Sequence, residues 1–176
     1  MKRLAWLVSL LMLCLVGTPL HAVERELETV PYVDLNRYMG QWYEIAHMPF
    51  WCQRNCFAST AHYTLNDDGT VTVINACRKG QADGPLKEVR GKAWVVDAES
   101  QSKLKVQFFW PFSGNYWVLK LGEQYEYAVV SEPNRKYLWI LSRTPTIDPD
   151  LYQEILQDMD EWGFDTTKLI RTEHPY

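Results

Sequence analysis

From Gln41 to Arg143 the chain runs through short segments in which apolar and polar residues alternate with a period of two, each closed by turn-forming residues. "FASTAHYTL" (57–65) and "TVTVINAC" (70–77) flank the Asn-Asp-Asp-Gly of 66–69, and Asp-Gly between two alternating runs predicts a hairpin. "KEVRGKAWVVD" (87–97) and "KLKVQFFW" (103–110) lie on either side of the polar "AESQS". The turn-like "PFSGN" (111–115) leads into "YWVLKL" (116–121), and "YEYAVVS" and "KYLWILSR" are separated by "EPNR". With the run that starts at Gln41, about eight strands joined by short loops predict an all-β antiparallel meander, closed as a barrel or a sandwich. Eight is also the strand number at which a barrel encloses one small ligand.

After Arg143 the period changes. In "TIDPDLYQEILQDMDEWGFD" a capping Asp148, Pro149 at the first helical position and Gly163 as a stop predict one helix. Leu151, Ile155, Met159 and Trp162 fall on one face, with Tyr152 and Leu156 beside them, so that face should pack on the outside of the strands. "KLIRTE" (168–173) then predicts a short closing strand. In "KLKVQFFW", Leu104, Val106, Phe108 and Trp110 share a face opposite Lys103, Lys105 and Gln107. In "KYLWILSR", Trp139, Leu141 and Arg143 share one face and Leu138 and Ile140 the other. Apolar residues on both faces suit a strand with an interior on one side and the helix on the other.

Composition changes the picture at the N-terminus. Lys2 and Arg3 precede the apolar "LAWLVSLLMLCLV", and "GTPLHA" ends in a small residue, which together predict a secretory signal peptide over 1–22, cleaved after Ala22, and a single domain over 23–176. A competing processing, cleavage ahead of Cys14 with acylation of that cysteine, would anchor the chain by lipid. Met12 and Leu13 are not the small residues that processing favours, and the apolar run continues past Cys14. Removing 22 residues lowers the formal net charge from −4 to −6 and leaves no basic cluster, which argues against nucleic acid as a partner. Seven of the eight tryptophans lie beyond residue 22, and so many large aromatics in an eight-stranded barrel favour a lined apolar cavity over a packed interior.

Three segments then carry a resemblance. "GQWYEIA" (40–46), "YAVVSEP" (127–133) and "LWILSRTP" (138–145), in that order and spacing, resemble the three signature regions of the lipocalins. Within that family the segments resemble those of the bacterial outer-membrane type (Blc) and of apolipoprotein D. The likeness extends over nearly all of 23–176, including "YTLNDDGTVTVIN" and "GFDTTKLI". It implies an eight-stranded up-and-down barrel, the lipocalin calyx, with the helix packed outside. Trp42 and Arg143 match the pair that closes the floor, a guanidinium stacked on an indole, and Gly40 lets the chain turn tightly beneath the barrel. These three residues are expected to be structural.

By the same resemblance Tyr63, Asn75 and Trp117 fall where cavity-lining residues lie. Alternation then adds Phe57, Ser59 and Ala61 beside Tyr63, and Val71 and Val73 beside Asn75. The expected lining is Ser59, Ala61, Tyr63, Val73, Asn75, Phe108, Trp117 and Trp139, with Asn75 and Tyr63 bonding a ligand head group or each other. The resemblance implies a fatty acid or lysophospholipid as ligand, no cofactor, and a role in lipid storage, transport or repair in the cell envelope, at the outer membrane or in the periplasm. It is compatible with a homodimer.

Export permits disulfides, and the hairpin brings Cys56 and Cys77 together, so a 56–77 bond is expected, with a 52–77 bond or no bond as the alternatives. Cys52 is then the odd thiol. It is the one candidate nucleophile for a lipid-modifying enzyme, and no base is identifiable beside it in the sequence. C-x-x-x-C with scattered histidines is a weak metal signal, so no metal is expected. Glu44 is expected as a buried or rim hydrogen-bond acceptor. A protein-binding barrel without ligand is the remaining reading.

Overall fold

The computed structural model describes residues 26–175. The apolar N-terminal run, with Cys14 and Ala22, lies outside the described residues. Helix α1 (Leu35–Tyr38) is a single turn, capped by Asp34, whose carboxylate accepts from the backbone N–H groups of Asn36 and Arg37. Eight strands follow: β1 (Gly40–His47), β2 (Cys56–Leu65), β3 (Val71–Lys79), β4 (Leu86–Val95), β5 (Lys103–Phe109), β6 (Phe112–Leu121), β7 (Tyr127–Ser131) and β8 (Leu138–Ser142). Each pairs antiparallel with the next, and β1 pairs with both β8 and β2, which closes the sheet into a barrel.

Helix α2 (Pro149–Glu161) starts where expected, with Asp148 accepting from the N–H groups of Asp150 and Leu151. Two expectations change. The barrel closes by the pairing of β1 with β8, whereas the last strand, β9 (Ile170–Arg171), only adds to β1 outside the barrel, opposite Ala46 and His47. The "PFSGN" segment is not a loop: Phe112 already pairs with Phe109, so β6 begins there and the hairpin tip is Trp110-Pro111 alone. Composition suggested a turn because Gly114, Ser113 and Asn115 are poor strand formers, but ladder pairing decides the matter.

Two apolar layers result, one on each face of the sheet. Inside the barrel, Trp42, Val118, Ala128, Val130 and Leu141 are fully or nearly fully buried. Outside, Ile155 and Met159 of α2 press on Ile45, Val129, Leu138 and Ile140. Both helix residues are completely buried, so each contributes about 2–3 kcal/mol. That explains the doubly apolar β8: Leu138 and Ile140 face the helix, Trp139 and Leu141 the interior.

The up-and-down order sorts the connections between the two ends. Those joining β1–β2, β3–β4, β5–β6 and β7–β8 gather at one end, and those joining β2–β3, β4–β5 and β6–β7 gather at the other, with α1.

Candidate ligand-binding site

The α1 end is closed. Gly40 takes a φ of +92° as the chain turns from α1 into β1, a region where a side chain is strained, and a Cβ there would sit 3.5 Å from an Arg143 guanidinium nitrogen. Trp42 is completely buried, and its indole N–H donates to the Tyr38 carbonyl at 2.9 Å. The Arg143 guanidinium lies 3.8 Å above the Trp42 ring centre. It also donates to three carbonyls: Gln41 at 2.8 Å, Arg37 at 2.7 Å and Tyr125 at 3.2 Å. One cation thus ties β1, α1 and the β6–β7 turn together over the indole.

Above this floor the barrel holds a cavity of about 640 Å³ that opens between the four connections at the other end. Its walls are largely apolar: Val71 and Val73 from β3, Ala93 from β4, Leu104, Val106 and Phe108 from β5, Val118, Val130, and Trp139 and Leu141 from β8. Phe108 lies flat against β4 because residue 91 is glycine; a Cβ there would come within 2.7 Å of the Phe108 ring. Seven of the eight expected lining residues surround this cavity: Ser59, Ala61, Tyr63, Val73, Asn75, Phe108 and Trp139.

Trp117 does not. It lies outside the barrel beside the α2 layer, beneath the Lys103 ammonium at 4.6 Å, and its neighbours Tyr116 and Val118 face the cavity. A shift of one position reverses every side chain of a strand, and both faces of "YWVLKL" are apolar enough to be the inner one. Two further parity expectations change. Ala58 has a φ of +48° at a register shift between Phe57 and Thr60, and this bulge turns Phe57 away from the cavity toward the C-terminal segment 170–173. Trp110 sits at the β5–β6 tip, 86% exposed.

The polar groups of the cavity fall into three sets. Deepest are three tyrosine hydroxyls: Tyr116 bonds to Tyr38 at 2.8 Å and to Tyr63 at 3.1 Å. Burial holds all three phenols neutral, pushing Tyr63 up to about 12 and Tyr38 and Tyr116 well above the usual phenol range. Tyr38 and Tyr116 were not singled out in the sequence; for Tyr116 the signal was its alternation with Val118. Tyr63 therefore bonds within this cluster and not to Asn75.

Higher on the wall, Asn75 Oδ1 and Ser59 Oγ are buried with no hydrogen-bond partner. On the adjoining strand β1, Glu44, 5% exposed, accepts from the Gln53 amide and from the Thr172 hydroxyl at 2.6 Å. Gln53 in turn accepts from the Trp139 indole N–H at 2.8 Å. Glu44 is thus a buried acceptor whose oxygens are already engaged.

Cys56 and Cys77 form the disulfide, with Cα atoms 5.4 Å apart where β2 and β3 approach the open end. Cys52 is a free, exposed thiol at the rim. Burial pushes its pKa up, against the pull of Lys79 and Lys87, so little reactive thiolate is present at neutral pH.

Comparison with known proteins fits this geometry. The family model described as "Lipocalin-like domain" matches residues 33–174, nearly the whole described chain. The chain is a lipocalin. The outer membrane lipoprotein Blc of Escherichia coli (strain K12) is 42% identical over 153 residues, covering 86% of this chain and 85% of that protein. Apolipoprotein D of Bos taurus is 35% identical over 126 residues, covering 66% of this lipocalin and 64% of that protein. Insecticyanin from the tobacco hornworm Manduca sexta shares the fold alone, with a TM-score of 0.68, 22% identity and 85% of each chain covered.

Proposed function

We propose that this lipocalin binds a single acyl chain, as a fatty acid or lysophospholipid, and carries it in the cell envelope in lipid storage, transport or repair. The observation behind it is the cavity: about 640 Å³, apolar-walled, sealed at one end by Trp42 and Arg143 and open at the other. Burying about ten methylenes at ~0.8 kcal/mol each supplies ~8 kcal/mol before the cost of immobilising the chain, which suits affinity of roughly micromolar order. The partnerless oxygens of Asn75 and Ser59 offer acceptors to a hydroxyl or head group that the apolar walls cannot satisfy.

The signal-like run of residues 1–22 and the relative named an outer membrane lipoprotein support an envelope location. The choice of cleavage after Ala22 over an anchor at Cys14 rests on the sequence alone, on the large Met12 and Leu13 ahead of Cys14 and the small residue that ends the run. A carrier role without chemistry accords with the raised pKa of Cys52.

Displacement of a fluorescent fatty acid tests the proposal. Phe108→Glu places a carboxylate on the apolar wall and should weaken binding by about two orders of magnitude, since an unpaired buried charge costs several kcal/mol. A folded Phe108→Glu protein with unchanged affinity would show that the acyl chain binds elsewhere.

A further inference from the structure

The large apolar side chains that remain exposed are concentrated at the open end. Trp51 is 76% exposed, Phe109 70%, Trp110 86%, Phe112 77% and Leu86 54%. Phe109, Trp110, Pro111 and Phe112 form one hairpin tip, and Trp51 stands on the β1–β2 connection across the mouth. A monomeric protein in water rarely leaves three such aromatics on one turn. Nothing in the fold needs Trp110, which projects from a two-residue tip beyond the last ladder pair.

Charge is divided along the same axis. The three interstrand connections at the closed end carry Asp67, Asp68, Asp97, Glu99, Glu123 and Glu126 and no basic residue. These six outnumber the cations beside them, among them Arg37, Arg143 and Lys92, the last paired with Asp68. At the mouth, Arg54, Lys79, Lys87 and Lys136 stand against Asp83, Glu88 and Glu132, and burial holds the Glu132 carboxyl above the usual carboxylate range. The end with the exposed aromatics is therefore the basic end of an acidic molecule.

We infer that the mouth is a membrane-docking surface: the 109–112 tip and Trp51 insert into the interfacial layer of an anionic phospholipid bilayer while the basic rim meets its head groups. Tryptophan favours the depth where acyl chains meet head groups, and anionic lipid attracts nearby lysines and arginines. The six carboxylates at the far end are repelled by the same surface, so the field orients the barrel mouth-down before contact. Docked this way, the cavity opens onto the bilayer, and an acyl chain can pass between them without crossing bulk water. Docking is separable from cavity binding, because Trp110 is not part of the cavity wall.

The test is sedimentation of the purified protein with vesicles of phosphatidylethanolamine and phosphatidylglycerol, and with vesicles of phosphatidylcholine. Binding should favour the anionic vesicles and weaken as salt rises. Trp110→Asp should reduce partitioning about tenfold or more, Trp110→Phe should restore most of it, and both should take up fatty acid from solution like the wild type. In the wild type, lipid brominated near the head of its acyl chains should quench tryptophan emission, a readout that needs no variant. Binding unchanged by Trp110→Asp, or no preference for anionic lipid, overturns the inference. A concentration-dependent dimer abolished by Trp110→Asp, with no vesicle binding, overturns it too and assigns the tip to a second copy of the chain.

Discussion

Removing the Arg143 side chain should loosen the closed end of the barrel by a calculable amount. Arg143→Ala deletes three hydrogen bonds, to the carbonyls of Gln41, Arg37 and Tyr125, and the stack on Trp42. Bonds to a charged donor contribute about 1.5–3 kcal/mol, but here the bereft carbonyls lie near the surface and regain water, so about 1 kcal/mol each is the appropriate figure. The stack adds about 1–2 kcal/mol, because Trp42 is completely buried on the other side.

The expected loss is therefore about 4–5 kcal/mol, a third or more of the stability of an ordinary domain, equivalent to a fall in Tm of roughly 8–20 °C. Urea unfolding followed by tryptophan emission measures it. Arg143→Lys is the informative companion: an ammonium keeps the charge over the ring but cannot reach three carbonyls at once, so about half the loss should return. A loss under about 1 kcal/mol in Arg143→Ala would refute the floor as described, and equal losses in both variants would show that the charge over Trp42 contributes nothing.

Other consequences follow from the same geometry. The three buried phenols ionise more readily once unfolded, so their contribution is fully present below pH ~10 and is lost as pH rises toward and beyond 12, at about 1.4 kcal/mol per pH unit for each. Alkaline unfolding curves should show that slope, and Tyr63→Phe should flatten it. Replacing Cys56 and Cys77 by serine opens a loop with a sequence separation of 21 and should cost about 3 kcal/mol by urea titration, leaving the folded barrel's ligand affinity nearly unchanged. Trp117→Leu should lower stability by about 1–3 kcal/mol through lost packing outside the barrel while fatty-acid displacement stays within about twofold of the wild type. A large loss of affinity there would put Trp117 back in the cavity.

The number and order of strands, the capped helix and the disulfide were legible because each rests on local pattern: period-two alternation, an Asp-Gly turn, Asp148-Pro149, and cysteines on facing strands. The floor was legible through the signature segments, since Gly40, Trp42 and Arg143 must stand together for any of them to act. What failed was parity. The bulge at Ala58 reverses Phe57 relative to Ser59, and a bulge leaves no mark in a run that stays apolar on both sides. In "YWVLKL" the interior and the helix-covered exterior both demand apolar residues, so Trp117 and Tyr116 compete for the inner position and only the ladder decides. The tyrosine cluster eluded pattern reading for a different reason: its hydroxyls come from α1, β2 and β6, and only barrel closure brings them together.

The carrier account stands or falls on what the barrel holds when it leaves its own envelope. Native mass spectrometry of the protein purified from that source, compared with its denatured mass, would answer this. The account predicts a bound mass in the range of a fatty acid or lysophospholipid that disappears on denaturation, and a chain that begins at Val23. An empty barrel that also takes up no fatty acid when offered it would contradict the account and leave the apolar cavity without an acyl occupant.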